Sequence, residues 1–182
     1  MKKKSFAHMP CPVALSLEHI GDGWNILILR DLSYGLCRFD EFEKSLGIAP
    51  STLTRCLTSL IDAGLVERRA YTDKPPRYDY VLTQSGRDFR PVMLSLMQWG
   101  NKHGTSGPSK IELFDEHTGQ PVDVVLVDGN TGKRINLLDH NLRYNGPPDS
   151  LSAWRLETGR PRRDAYRKSL ANATSPLQQS HR

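Results

Sequence analysis

Short polar side chains that could make specific hydrogen bonds are concentrated between residues 50 and 63. Apolar residues recur there at i, i+4, i+7 and i+8, which predicts one helix with a single buried stripe: Leu53, Leu57, Leu60 and Ile61. The opposite face carries hydroxyls, one cation and one carboxylate: Ser51, Thr52, Arg55, Thr58, Ser59 and Asp62. Such a face suits the major groove of DNA, because small side chains allow close approach and arginine can pair with guanine. The alternative is an ordinary solvent-exposed helix face.

A basic hairpin is predicted directly after this helix. Two strand patterns, residues 65–71 and 77–82, are joined by a linker over residues 72–76, and Lys74 and Arg77 lie at or beside its tip. A rigid basic hairpin after such a helix is typical of the wing of a winged helix, which lies on the flanking phosphate backbone. An ordinary surface hairpin is the alternative. It is the weaker interpretation, because several helices and then the hairpin follow one another in one compact unit.

Three helical patterns precede the polar-faced helix. Residues 13–20 place Val13, Leu17 and Ile20 on one face, and residues 24–32 are almost wholly apolar, which predicts a central buried helix. Residues 38–46 turn three apolar side chains inward: Phe39, Phe42 and Leu46. Gly47 then provides the turn into the polar-faced helix, and Gly64 ends that helix.

A further helix, over residues 87–103, is predicted after a Thr83 N-cap. It carries a wide apolar stripe that contains two methionines and one tryptophan: Phe89, Val92, Met93, Leu96, Met97 and Trp99. Exposed stripes of this kind are usually interfaces, so the helix is predicted to mediate dimerisation. Pro91 should bend it near its start.

No residue pattern for catalysis, metal binding or cofactor binding is present. The six histidines are scattered, and the sequence contains no glycine-rich phosphate loop. The three cysteines, Cys11, Cys37 and Cys56, are widely spaced and match neither a disulfide framework nor a zinc site. We therefore expect a protein that is not an enzyme and that has no metal or cofactor.

The composition is that of an ordinary globular protein, with 37% apolar and 25% charged residues. The net charge of +5 and the pI near 9.2 permit a polyanionic partner without requiring one. Prolines and charged residues interrupt the segment that follows the basic N-terminus, which argues against a secretory signal, and no membrane-spanning segment is visible. A cytoplasmic protein is the expectation.

Changes in composition divide the chain into four parts. Residues 1–10 are expected to form a flexible arm, and residues 11–104 a helical domain that ends at a turn-rich break. Residues 105–140 read as three short strands (111–114, 122–127 and 134–137) in a small acidic β-meander. Residues 141–182 are basic and poor in apolar residues, which predicts a disordered tail with at most a weak helix around residues 165–170.

Residues 11–103 resemble the HxlR-type branch of the winged-helix regulators, which is related to the MarR group. The matching blocks are CPV (11–13), IGDGW (20–24), LILRDL (27–32), RFDEF (38–42), PSTLTRCL (50–57), DAGLVER (62–68), PPRYDY (75–80), LTQSG (82–86) and WG (99–100). The resemblance implies a homodimeric bacterial regulator whose 50–63 helix enters the major groove. Ala49 departs from the pattern, because relatives usually have a capping serine there, and the segment after residue 104 is an extension that many relatives lack.

The predicted fold is therefore mainly α (α+β): a winged helix-turn-helix domain with a C-terminal dimerisation helix and a small β extension. The partner is double-stranded DNA with an inverted-repeat operator. The predicted DNA contacts come from the 50–63 helix, from the residue before the third helix and from the wing: Arg38, Pro50, Ser51, Thr52, Thr54, Arg55, Thr58, Ser59, Lys74 and Arg77. Two alternatives stay open, namely a repressor that binds an effector through the extension and a winged helix that binds proteins.

Cys11 is a candidate redox sensor. Several relatives within the resembling family sense oxidants or electrophiles through a cysteine at this place. Pro12 is expected to be the first residue of a helix, which puts Cys11 at the N-cap, where the helix dipole stabilises a thiolate. A plain capping or packing cysteine is the alternative, and Cys37 and Cys56 are expected to be packing residues.

Overall fold

The computed structural model describes residues 5–73, 76–104 and 111–173, which divide into two compact units, Met1–Val124 and Val125–Arg182. In chain order the described helices and strands of the first unit are α1 (Pro12–Ile20), α2 (Gly23–Ser33), α3 (Phe39–Leu46), α4 (Pro50–Asp62), β1 (Val66–Asp73), β2 (Pro76–Leu82), α5 (Gln84–Asp88) and α6 (Arg90–His103). The second unit contains α7 (Ser150–Ala173). The four predicted helices before the hairpin, and the hairpin itself, are confirmed to within a few residues.

The core of the first unit is built around α2, as its apolar sequence predicts. Ile28 and Leu29 of α2 are almost completely buried, and they share the core with Phe42 of α3 and Val66 of β1. From α4 the core receives four side chains: Leu53, Cys56, Leu57 and Leu60. Burial of aliphatic side chains of this size contributes about 1.5–3 kcal/mol each, so the stripe of α4 fixes which face of that helix points outward.

Local chain geometry sets the two ends of α4. Pro50 is its first residue. The N-cap residue is Ala49, whose methyl side chain cannot make a capping hydrogen bond. At the other end Gly64 has φ +68°, a conformation that L-residues rarely adopt, and the chain turns there into β1. The turn places the wing directly against the end of the helix.

β1 and β2 form an antiparallel hairpin that runs in register from Val66 opposite Leu82 to Asp73 opposite Pro76, with an irregularity between Ala70 and Thr72. The backbone N–H of Tyr80 also donates to the carbonyl of Cys37 at 2.7 Å. β2 is therefore hydrogen-bonded to β1 and, through this bond, to the segment before α3.

The single helix predicted over residues 87–103 is divided into α5 and α6. Phe89 ends α5 and precedes α6, and Pro91 lies in the first turn of α6. Proline has no N–H to continue the helical hydrogen bonds, so the bend that the sequence predicts is a break between two helices. Thr83 caps α5 as expected, since its Oγ1 accepts a hydrogen bond from the N–H of Gly86 at 3.1 Å.

The predicted β-meander is reduced to two isolated bridges, Phe114 with Pro121 and Val127 with Arg134. The segments between the predicted strands form two turns, in which the carboxylates of Asp115 and Asp128 accept hydrogen bonds from backbone N–H groups. Each bridge stops after one residue pair, so the alternating sequence does not extend into strands. The boundary between the two units falls after Val124, inside the predicted middle strand.

The expectation of a disordered tail is wrong for residues 150–173, which form α7. Asp149 begins this helix by accepting hydrogen bonds from the N–H groups of Leu151 and Ser152, both at 3.1 Å. Arg167 donates to the backbone carbonyl of Leu138 at 2.7 Å. The polar composition of the segment did not predict either contact, because a helix cap and a long-range hydrogen bond can both form without apolar residues. Residues 174–182 lie outside the described part of the chain.

None of the helices in the described ranges is both long enough and apolar enough to span a lipid bilayer.

Candidate nucleic-acid interface

The outer face of α4 carries the polar residues that the sequence assigns to it. Pro50, Ser51, Thr54, Arg55 and Thr58 are exposed. Two further residues of the predicted set, Thr52 and Ser59, are half-buried. The helix therefore presents a narrow surface of hydroxyl groups with a single cation, backed by a buried apolar stripe.

Two of these hydroxyls are already used as donors inside the helix. Thr54 Oγ1 donates to the carbonyl of Pro50 and Thr58 Oγ1 to that of Thr54, each at 2.9 Å. A threonine oxygen keeps acceptor capacity after donating. In this arrangement the two side chains are suited to accept from the amino group of cytosine or adenine, rather than to donate to guanine.

Arg55 is held by a carboxylate from another element. Its Nη2 lies 3.0 Å from Oδ2 of Asp22, the N-cap residue of α2. The hydrogen bond to Asp22 is the main cause that raises the pKa of Arg55. His19, Thr58, Ser59 and Asp62 line a shallow depression with Arg55.

Arg38 connects the start of α3 to the wing. It is the N-cap residue of α3, its guanidinium lies 4.8 Å from the ring centre of Tyr71, and its Nε is 3.4 Å from Oδ1 of Asp79. The interaction with Tyr71, followed by the hydrogen bond to Asp79, raises the pKa of Arg38. Arg38 and Arg77 line the same open cleft, so two predicted DNA contacts that are far apart in sequence come together.

Two basic residues of the wing were missed by the sequence prediction. Arg68 and Arg69 on β1 are exposed, with the guanidinium of Arg68 4.1 Å from the ring centre of Tyr78 and that of Arg69 paired with Glu67. The two adjacent arginines in a predicted strand were the available signal, because a strand that carries two cations is suited to contact phosphates. Lys74, the other predicted tip contact, lies outside the described residues.

The cysteines differ in their surroundings. Cys11 is half-buried and forms the N-cap of α1 ahead of Pro12, as predicted, although its side chain makes no capping hydrogen bond. Burial, reinforced by the negative charge of Asp79, raises the pKa of Cys37, and Cys56 is completely buried in the core. In the described ranges no cluster of histidine, cysteine, aspartate and glutamate could hold a metal ion.

The six residues predicted to form a dimer interface separate into two groups. Val92, Leu96 and Trp99 are exposed by 46%, 43% and 65%. The others do not project freely: Phe89 and Met93 pack against the core, and Met97 lines a cavity of about 680 Å³ between α2 and α6. Exposed apolar residues on α1 were not among the predicted interface residues, namely Val13, Leu15 and Leu17.

A comparison of sequences with known families agrees with this geometry. The profile of the HxlR-like helix-turn-helix family matches residues 19–107. An HTH-type transcriptional regulator of Mycobacterium tuberculosis, Rv3095, is 36% identical over 125 residues, which cover 68% of this chain and 78% of the relative. This chain belongs to the HxlR-like helix-turn-helix family. The family and the named relatives are transcriptional regulators, which agrees with the expectation that this protein is not an enzyme.

Solved structures of similar proteins share the winged-helix fold. PA1374 from Pseudomonas aeruginosa, described as a putative transcription factor, is 40% identical to this HxlR-like chain. The match covers 80% of this chain and all of that one, with a TM-score of 0.57. PA1607, also described as a putative transcription factor, is 33% identical with a TM-score of 0.69 over 78% of this chain and all of that one. The redox regulator HypR in its reduced form is 32% identical with a TM-score of 0.50 over 52% of this chain and 95% of its own.

Proposed function

We propose that this HxlR-like regulator acts as a homodimer that inserts α4 into successive major grooves of an inverted-repeat operator and lays its wing on the adjoining phosphates. The observation that carries the proposal is the exposed hydroxyl-and-arginine face of α4, which stands next to a hairpin with three exposed arginines: Arg68, Arg69 and Arg77. A groove-reading helix beside a basic hairpin matches the division between base contacts and phosphate contacts. The protein is proposed to act in the bacterial cytoplasm and to regulate the transcription of an operon.

The dimer is supported by the apolar residues that the first unit leaves exposed. Val92, Leu96 and Trp99 on α6, together with Val13 and Leu17 on α1, expose large apolar surfaces to solvent. Surfaces of this kind on regulators are commonly covered by a partner. A second copy of the chain related by a twofold axis would cover both and would present two α4 helices about one turn of DNA apart.

The test combines the oligomeric state with a salt titration. Analytical ultracentrifugation is expected to give a dimer, and a duplex selected by the protein from a randomised library is expected to contain an inverted repeat. Arg38→Ala and Arg77→Ala should each lower the slope of log affinity against log salt by about one unit per lost phosphate contact in each subunit. Lys133→Ala is the charge-matched control and should leave the slope unchanged, because Lys133 lies in the acidic 105–140 segment. A monomer with salt-independent binding would refute the proposal.

A second proposal concerns regulation through Cys11. The supporting observations are the position of Cys11 at the N-cap of α1, next to the exposed apolar residues of that helix, and the likeness to the redox regulator HypR. Oxidation of this thiol would alter packing at the proposed dimer surface and thereby change DNA affinity. A mobility-shift assay with and without diamide tests this, with Cys37→Ser as the control. If Cys11→Ser responds to diamide as the wild type does, Cys11 is not the sensor.

A further inference from the structure

The carboxylate of Asp22 joins the start of α2 to the outer face of α4. Its Oδ1 accepts a hydrogen bond from the backbone N–H of Trp24 at 3.1 Å, and its Oδ2 accepts one from Nη2 of Arg55 at 3.0 Å. The Asp22 side chain is 21% exposed, whereas that of Arg55 is 59% exposed. The ion pair is therefore anchored at its acidic end and open to solvent at its basic end.

The position of this carboxylate is set by α2 and not by Arg55. Asp22 is the N-cap residue of α2, with extended backbone angles (φ −93°, ψ 124°), and its charge is favoured at the positive end of the helix dipole. The helix is in turn fixed by Ile28 and Leu29, which are buried in the core. A carboxylate held in this way restrains the more mobile guanidinium that it contacts.

We propose that Asp22 is a positioning residue for sequence recognition: it orients the guanidinium of Arg55 for a bidentate contact with one guanine. The inference rests on the proposed function, in which α4 enters the major groove. The contact with Asp22 occupies one of the five N–H donors of Arg55 and leaves four, of which two suffice for N7 and O6 of the base. A side chain that is already ordered loses less conformational freedom on binding, so the correct base gains more from the contact.

The negative charge of Asp22 has a second and opposite effect. Close to DNA, a carboxylate is repelled by the phosphates of every sequence. Asp22 therefore lowers affinity for all duplexes slightly while it raises discrimination at one base position. A residue that acted only as a helix cap would affect neither, and one that merely competed with DNA for Arg55 would affect affinity alone.

Two substitutions separate these roles. Asp22→Asn keeps an oxygen that can accept from the N–H of Trp24 but removes the charge that holds Arg55, and Asp22→Ser keeps a good cap with a side chain too short to reach Arg55. The probes are the tightest duplex that the wild-type dimer selects from a randomised library, its single-base variants and one unrelated duplex. Dissociation constants are measured by fluorescence anisotropy at one salt concentration, for both variants, for Arg55→Ala and for the double variant with Asp22→Asn.

Both Asp22 variants are expected to reduce discrimination at a single base position by about threefold to tenfold, the cost of ordering one long side chain. That position is the one at which Arg55→Ala loses its discrimination. Affinity for the unrelated duplex should equal or exceed that of the wild type. In the Arg55→Ala background, Asp22→Asn should leave discrimination unchanged, because the two residues act through one contact.

Unchanged discrimination in both Asp22 variants would overturn the inference, whether or not affinity for the selected duplex rises. The effect of Arg55→Ala tests the assumed contact between Arg55 and a base. If Arg55→Ala weakens binding to all duplexes alike, Arg55 contacts phosphate, and the role of Asp22 fails while the entry of α4 into the groove is not contradicted.

Discussion

Gly86 offers a sharp test of the junction between the wing and α5, since local propensity and tertiary structure predict opposite effects there. Glycine inside a helix costs about 0.8–1 kcal/mol relative to alanine, so propensity alone predicts that Gly86→Ala stabilises the protein. A Cβ at Gly86 would lie only 2.1 Å from the carbonyl oxygen of Leu65 and 3.0 Å from Cδ2 of Leu82. Contacts between carbon and oxygen are normally about 3.3 Å or longer, so the backbone would have to move by roughly 1 Å.

The carbonyl of Leu65 is not free to move. It accepts a hydrogen bond from the N–H of Thr83 at 3.1 Å, and Oγ1 of Thr83 also donates to the neighbouring carbonyl of Gly64 at 2.6 Å. Overpacking of a well-ordered site costs about 1–3 kcal/mol, and a weakened hydrogen bond adds about 1 kcal/mol. After the gain in helix propensity is subtracted, Gly86→Ala is expected to destabilise the protein by about 1–3 kcal/mol.

The assay is thermal unfolding followed by circular dichroism. For a chain of this size the melting temperature should fall by about 2–4 °C for each kcal/mol. Gly100→Ala is the matched control, because a Cβ at Gly100 in α6 would meet nothing within 4 Å, and its melting temperature should be unchanged or raised. The packing of α5 against the end of β1 would be refuted by a Gly86→Ala variant as stable as the wild type.

Three further predictions concern α3, the wing and α6. Asp79→Asn should speed alkylation of Cys37 at pH 8 by a factor of about 2–5, since it removes the carboxylate that helps to raise the pKa of the thiol while the larger cause, burial, remains. Hydrogen bonds from the N–H groups of Cys37 and Arg38 lower the pKa of Glu41, so its stabilising effect is present above the ordinary pKa and is lost as pH falls through the lowered value. Glu41→Gln should therefore melt below the wild type at pH 7, and the gap should close towards pH 3. Trp99→Ser should weaken the proposed dimer by about tenfold to a hundredfold in sedimentation experiments.

The same chain offers control variants for two of these three predictions. Asp40→Asn changes an exposed carboxylate of α3 and should not affect alkylation of Cys37. For the dimer, Leu142→Ser removes an apolar residue that is 84% exposed outside the proposed interface. Equal effects of Leu142→Ser and Trp99→Ser would argue against α6 as the interface, and a gap between Glu41→Gln and wild type that persists at pH 3 would argue against the assigned cause.

The parts of the fold that sequence predicts well are those with local causes. The apolar spacing of Leu53, Leu57 and Leu60, with Gly64 to end the helix, defines α4 and its outer face from neighbouring residues alone. The hairpin follows from strand patterns on either side of a short linker. The polar face of the candidate interface could be predicted for the same reason, since the buried stripe determines which side chains remain outside.

The parts that sequence did not predict depend on contacts between distant residues. Asp22 lies 33 positions from Arg55, and no local pattern connects a helix cap to a residue of the groove-facing helix. The stripe of α6 was predicted as one surface, but α6 packs on the core through Met93 and leaves Trp99 exposed, a division that only tertiary packing determines. The helix of residues 150–173 has a different explanation: only a weak helix around residues 165–170 was predicted, because the segment is polar and poor in apolar residues.

The most direct test of α4 as the groove-reading helix is methylation interference on the selected duplex. Methyl groups at N7 of guanine project into the major groove, whereas those at N3 of adenine project into the minor groove. Binding through α4 predicts interference by guanine N7 methylation in two half-sites about one helical turn apart, and loss of one such position per half-site in Arg55→Ala. Binding that tolerates N7 methylation throughout the duplex, or an interference pattern that Arg55→Ala leaves intact, would contradict it.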